Sequence, residues 1–256
     1  MTVIAFDLYG TLLSTESIAG ELAKIVGDEH SNTLAALWRR YQLEYTWRSN
    51  SMASDYQSFE TLTRASLLHA AAELSLPLTP TETEHLLSAY NALPVFPDVP
   101  AAFETIRTFQ TTTTTTSTQT NPPHHHPLTT YLFSNGSHHT ISASILASPG
   151  LAACAAVWDG VVSVEDVRVY KPSARAYAYL LERVRRPGTD VWLVSSNPFD
   201  VVGALAAGLR AAWVDRAGKG WVDRLGEGVG GLRPEVVGRG VDEVVGEVLR
   251  RVGEGE

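Results

Sequence analysis

Val3-Ile4-Ala5-Phe6 is an unbroken apolar run that stops at Asp7 and is followed closely by Gly10-Thr11. Such a run reads as a parallel strand buried on both faces, with its polar residues in the loop at the carboxyl end. The pattern recurs at Tyr131-Leu132-Phe133 before Ser134, at residues 191–194 before Ser195, and at residues 211–214 before Asp215. Helical segments separate these runs, notably Ala174–Val184 and residues 201–208. Strands alternating with helices imply an α/β architecture, a parallel sheet, and a ligand crevice outside the strands' carboxyl ends.

The second strand arrives late. Between Thr11 and about Pro97 the pattern is almost wholly helical: Leu34, Leu37, Trp38, Tyr41 and Tyr45 fall on one helix face. Thr79-Pro80-Thr81-Glu82 is a capping box with proline at the first helical position, opening a helix through Tyr90. Pro94, Pro97 and Pro100 punctuate the return. The expected organisation is therefore a core of residues 1–13 and 96–256 with a helical cap, 14–95, inserted after the first strand. Residues 109–130, carrying Thr111 to Thr116 and His124-His125-His126, are expected to form a mobile loop. Residues 218–240 are Gly-rich and read as loop. Val241, Val244, Val245, Val248, Leu249 and Val252 make the apolar stripe of a final helix.

Composition narrows the classes. At about 150 residues per domain, 256 residues fit one large or two modest domains. No segment approaches the ~18 uncharged apolar residues of a membrane span. The formal net charge of −8 disfavours nucleic acid as a partner. One cysteine, Cys154 within the apolar residues 151–157, excludes internal disulfides and reads as a small buried side chain rather than a reactive thiol. The first ten residues lack a basic n-region, so a cytoplasmic location is the default expectation.

Four polar clusters sit at the expected strand ends: Asp7-Leu8-Tyr9-Gly10-Thr11, Ser134-Asn135-Gly136, Lys171-Pro172, and Ser195-Ser196-Asn197-Pro198-Phe199-Asp200. Together they resemble the haloacid dehalogenase superfamily, with its Rossmann-like core. With Leu37-Trp38-Arg39 and Gln42-Leu43-Glu44-Tyr45-Thr46-Trp47, they resemble more narrowly the L-2-haloacid dehalogenases. Tyr9 stands where the superfamily's phosphatases carry a second aspartate to protonate a departing alkoxide. A halide leaves without a proton, so losing that acid is harmless to dehalogenation. The phosphatases' acidic fourth motif is here rich in Ser and Asn, with Asp200 alone. No metal and no other cofactor are therefore expected.

The resemblance implies that Asp7 attacks the α-carbon of a short (S)-2-haloalkanoic acid, forming an aspartyl ester that water hydrolyses to an (R)-2-hydroxy acid. Lys171 would keep Asp7 ionised. Asp200, Ser195 and Asn197 would position and deprotonate the water, and Thr11, Ser134 and Asn135 would hydrogen-bond Asp7 or the substrate. Arg39 matches the arginine that holds the substrate carboxylate and halide; Arg40, next to it, points about 100° away on a helix. Leu8 joins Arg39 as a substrate-binding residue, and Tyr9, Leu43, Phe59 and Phe199 would wall the alkyl group. Phe59 requires a one-residue insertion before it, and Phe199 replaces the usual tryptophan. The expected partner is the small haloacid, with no nucleic acid and no membrane; a homodimer is compatible with the resemblance.

Plainer readings exist for each residue. Asp7 would suit a turn, Lys171 a position before a helix-opening proline, Asp200 the positive end of a helix dipole, Arg39 a solvated helix face, and the aromatic residues a core. His138 and His139 read as first-turn helix residues. A superfamily phosphatase and a non-catalytic binding or regulatory protein are the alternative functions.

Overall fold

The computed structural model describes residues 1–52, 55–115 and 128–254. Strands β1 (Thr2–Phe6), β2 (Leu128–Ser134), β3 (Gly160–Ser163), β4 (Val191–Ser195), β5 (Arg210–Val214) and β6 (Val236–Gly238) form one sheet in the order β3-β2-β1-β4-β5-β6. Every pairing is parallel. Residues Val3 to Phe6 and Val191 to Val194 are almost completely buried, which is why their sequences run apolar without alternation. The chain winds outward from β1 to β3, then returns to the other side of β1 for β4 to β6. That reversal of strand order opens a crevice between the carboxyl ends of β1 and β4.

Helices α1 (Ala19–Val26), α2 (Asp28–Met52), α3 (Phe59–Glu73) and α4 (Pro80–Tyr90) all lie between β1 and the next helix, α5 (Val99–Thr115). The chain leaves and re-enters over paired backbone: the Ser14 N–H donates to the Pro94 carbonyl (2.9 Å) and the Phe96 N–H to the Leu12 carbonyl (3.0 Å). On α2, Leu34, Trp38 and Tyr41 are buried and Leu37 and Tyr45 half-buried, as the stripe requires. A fully buried Leu or Phe-sized side chain contributes roughly 2 kcal/mol, and the Trp38 Nε1–H also donates to the Thr63 carbonyl on α3 at 2.8 Å. The capping box opens α4: Thr79 Oγ1 accepts from the Glu82 N–H, and the Glu82 carboxylate accepts from the Thr79 N–H.

The remaining helices are α6 (His138–Ala147), α7 (Pro149–Ala155), α8 (Ala174–Val184), α9 (Pro198–Ala206), α10 (Leu225–Gly228) and α11 (Val241–Glu254). The whole valine stripe of α11 is buried. No helix among the described residues is long and apolar enough to cross a membrane.

Several expectations need correction. The Thr-rich tract does not begin as a loop at 109: α5 continues to Thr115, carried by Val99, Ala102, Phe103 and Ile106 on its buried side, and β2 starts at Leu128. His124 to His126 and residues 116–127 lie outside the described residues. The region 218–240 is not all loop, because it contains α10 and the edge strand β6. Strands β3 and β6, four and three residues long, are too short to show a period. Helix α9 starts at Pro198, not 201, with that proline at its first position.

Candidate active site

Asp7 directly follows β1, and its side chain is 10 % exposed. Its two oxygens have different surroundings. Oδ2 accepts from Thr11 Oγ1 (2.8 Å), Ser195 Oγ (3.2 Å) and Asn197 Nδ2 (2.6 Å). Oδ1 accepts from Lys171 Nζ at 3.2 Å. The turn that brings Thr11 back to Asp7 passes through Gly10 at φ +85°, a conformation that favours glycine. A Cβ there would meet the Arg39 guanidinium and the Asn197 amide at 3.6 Å, an ordinary contact, so the backbone angle and not space is what favours glycine.

Lys171 is 99 % buried and uses all three ammonium protons: on Asp7 Oδ1, on Asp200 Oδ2 (2.9 Å) and on the Phe133 carbonyl (2.8 Å). Its own N–H donates to Asn135 Oδ1 at 2.9 Å, so the loop after β2 positions it. Nζ also lies 4.0 Å from the centre of the Phe133 ring. One buried cation thus bridges two carboxylates.

Asp200 is completely buried in the first turn of α9. Burial pushes its carboxyl up to about 6; Lys171 opposes this, and the Asp7 charge adds to it. Its Oδ1 accepts from the Tyr177 hydroxyl at 2.8 Å, and the same hydroxyl approaches the Asp200 carbonyl at 3.2 Å. Burial, with the Asp200 charge second, holds the Tyr177 phenol well above its ordinary range, so it stays a neutral donor. Sequence reasoning missed Tyr177. The available signal was a tyrosine on the apolar face of α8, where a buried hydroxyl needs a partner.

Arg39 reaches in from α2. Nη1 donates to Gln42 Oε1 (2.7 Å), and Nη2 to the Tyr9 carbonyl (3.0 Å) and Asn197 Oδ1 (3.3 Å). Gln42 Oε1 also accepts from the Tyr90 hydroxyl (3.0 Å), which ties the arginine to α4. Arg40 is exposed and turns to Tyr41 and Glu73 instead. Asp7, Tyr9, Arg39, Leu43, Phe59, Asn135, Lys171, Asn197 and Phe199 line a pocket of about 10 Å³, roughly the space one water needs. Tyr9 stacks on Phe59 (5.2 Å between centres) and Tyr90 (5.8 Å).

The side chains of two expected substrate-binding residues do not line this pocket. Ser134 is fully buried, and its Oγ accepts from the Gly136 N–H at 3.0 Å, so it shapes the loop after β2. Leu8 is fully buried in the hydrophobic core, while its carbonyl accepts the N–H groups of Leu12 and Leu13. The physical reason is alternation: residues next to one another on an extended chain point opposite ways. His138 and His139 open α6; the former pairs with Asp166 at 2.9 Å and the latter is exposed. Burial pushes the Cys154 thiol up to about 11, in keeping with a packing role. Among the described residues, no three His, Cys, Asp or Glu side chains are grouped so as to hold a metal ion.

The model of the haloacid dehalogenase-like hydrolases matches residues 1–208. The (S)-2-haloacid dehalogenase H-109 of Pseudomonas putida is 33% identical over 84% of this chain and 86% of its own. Haloacetate dehalogenase H-2 of a Moraxella species is 29% identical over 84% and 86%. The L-2-haloacid dehalogenase of Xanthobacter autotrophicus, solved with chloropropionic acid covalently bound, superposes with a TM-score of 0.77 at 25% identity, covering 97% of this chain and 98% of that one.

Proposed function

Because the chain belongs to the haloacid dehalogenase-like hydrolases, we propose that it hydrolyses the carbon–halogen bond of short (S)-2-haloalkanoic acids to (R)-2-hydroxy acids through an ester on Asp7. The observation that carries this reading is the unequal treatment of the Asp7 oxygens. Three neutral donors hold Oδ2 and leave Oδ1 with Lys171 as its partner. Oδ1 attacks the α-carbon opposite the halide, the carbon–halogen bond breaks, and the halide departs with its electron pair, inverting the centre.

Water then attacks Cγ of Asp7. Negative charge develops on Oδ2, where Thr11, Ser195 and Asn197 already converge as donors, an arrangement that stabilises the oxyanion without reorganisation. Cleavage of the Cγ–Oδ1 bond frees the hydroxy acid and regenerates Asp7. Asp200 takes the proton of the water, and a base pushed up to about 6 is matched to that task near neutrality. Burial holds the Tyr9 phenol well above its ordinary value, so Tyr9 donates no proton to a leaving group. The Xanthobacter relative's covalently bound chloropropionic acid supports the ester route.

In this reading, residues 14–95 are a cap that carries Arg39, Leu43 and Phe59 over the pocket, and 1–13 with 96–256 form the core. The buried ammonium of Lys171 occupies the place between the two carboxylates, and Asp200 gives both its oxygens to Lys171 and Tyr177. That donor set suits a metal-independent reaction. The test is halide release from (S)- and (R)-2-chloropropionate without Mg²⁺: release from the (S) isomer giving (R)-lactate supports the reading, and Mg²⁺-dependent phosphate release in its place overturns it.

Two outcomes follow from the roles assigned. Arg39→Lys loses the planar fork that can hold a carboxylate bidentately, so KM for 2-chloropropionate should rise about 10-fold or more, at a cost of about 1.4 kcal/mol or more. A KM equal to that of the parent enzyme would remove Arg39 from substrate binding. For Asp200 the ionised form is the base. Ester hydrolysis should therefore fall as pH drops through about 6 and level off above it. Asp200→Asn should accumulate the ester, seen by mass spectrometry as substrate mass less halide on the peptide containing Asp7.

A further inference from the structure

Among the described residues, Phe59 alone lines both the catalytic pocket and a second cavity of about 440 Å³. This larger space lies where α3, α4 and the start of α6 meet, with Thr63, Leu87, Ser88, Tyr90 and Thr140 on its walls. The partition between the two is aromatic. Phe59 stacks on Tyr9, Tyr9 on Tyr90, and Tyr90 packs on Trp38 at 4.9 Å.

The members of this partition are not equally replaceable. The Tyr9 carbonyl holds Arg39 and Asn197, and the Tyr90 hydroxyl holds Gln42, the partner of Arg39. Phe59 makes no polar bond with its side chain; the ring sits by packing alone at the first position of α3, after the Ser58 cap. Of the charged groups beside the second cavity, Arg64 pairs with Glu84 at 2.7 Å, and Glu60 accepts from the Ser137 hydroxyl through Oε1 while its Oε2 is buried without a hydrogen-bond partner. An alkyl tail entering there would meet no bare cation.

We propose that the Phe59 ring sets the chain-length limit of the enzyme, closing the alkyl end of the catalytic pocket against a cavity able to hold the tail of a longer 2-haloalkanoic acid. The proposal rests on the dehalogenase reading of the same pocket. In the native protein the ring restricts turnover to short acids. With the ring gone the two spaces join, and the carboxylate and α-carbon keep their seats at Arg39 and Asp7 while the tail extends past Tyr9.

The test compares kcat/KM for (S)-2-bromopropionate and (S)-2-bromohexanoate, read as bromide release. Phe59→Ala should shift the ratio toward the longer acid by about tenfold, the discrimination of a single methylene in an apolar contact, because the tail gains the Leu87 and Tyr90 faces of a cavity whose other walls are largely polar. Phe59→Leu, which keeps apolar bulk and tests the same point if the alanine variant misfolds, should shift it less in the same direction. Ser88→Trp, on the exposed wall of the second cavity, should leave bromopropionate turnover unchanged alone and cancel the gain in the Phe59→Ala background. A folded Phe59 variant with an unchanged ratio, or a gain that survives Ser88→Trp, overturns the proposal. Native enzyme that releases bromide from neither acid overturns the dehalogenase reading beneath it, a result distinct from the first.

Discussion

Asp7→Asn should lower kcat for halide release by at least about 10⁴-fold, the scale seen when a covalent nucleophile is removed. An amide oxygen is a far weaker nucleophile than a carboxylate, and the substitution also turns a neutral NH₂ toward either Lys171 or the Thr11–Ser195–Asn197 donors. Each of those positions holds donors already, so the variant cannot satisfy both sides at once. The fold should survive, because β1 keeps its backbone pairing on both sides. Thermal unfolding with an unchanged near-ultraviolet spectrum checks that point. The parent enzyme provides the complementary measurement: one turnover in ¹⁸O-water, with enzyme in excess, should put the label in Asp7 rather than in the hydroxy acid. Label in the first product would show direct attack by water and remove Asp7 as nucleophile.

Lys171→Met should be the most destabilising single change at the site. Deleting one partner of a buried ion pair costs about 3–5 kcal/mol, and for a chain of this size that corresponds to a melting temperature lower by roughly 10 °C. The variant leaves Asp7 and Asp200 buried together without their shared cation. At least one carboxyl is then held in the folded state above its unfolded pKa. The folded protein binds that proton more tightly, so stability is present at low pH and is lost as pH rises through the folded value. Parent and variant melting temperatures should therefore converge on going from pH 8 to pH 5. Parallel curves over that range would mean that Lys171 stabilises by packing and not by charge. Halide release should fall as well, since Asp7 Oδ1 loses the ammonium that holds it in place.

Much of the candidate site was legible because its residues are defined by type and by position relative to a strand end. Asp7, Ser195, Asn197 and Asp200 each end or follow an apolar strand or open a helix, and a parallel sheet gathers such positions at one edge, whereas Lys171 lies in the connection between β3 and α8 and not at a strand end as expected. Arg39 was chosen over Arg40 because it directly follows Trp38 in the matching family motif, and the structure puts the first in the pocket and the second outside. Ser134 and Leu8 show where that reasoning stops. Both belong to the right clusters, yet alternation along the chain turns Ser134 into the loop and Leu8 into the core. Tyr177 is the reverse case, a core-facing helical residue whose hydroxyl reaches the site.

Local pattern alone therefore determined the parallel α/β core, the helical segment between β1 and α5 and the α4 cap, while the resemblance of four short motifs to a known family pointed to the charged groups. Strand burial, helical period and capping act over a few residues and leave their mark in the order of the chain. Only the tertiary structure decided which Asp7 oxygen takes three donors, that one ammonium bridges two carboxylates, that Tyr177 completes Asp200, and that Phe59 parts two cavities. Those features depend on distances between side chains up to 190 positions apart in sequence. Tenths of an ångström in such distances are set by packing of the whole core, which no short window of sequence contains.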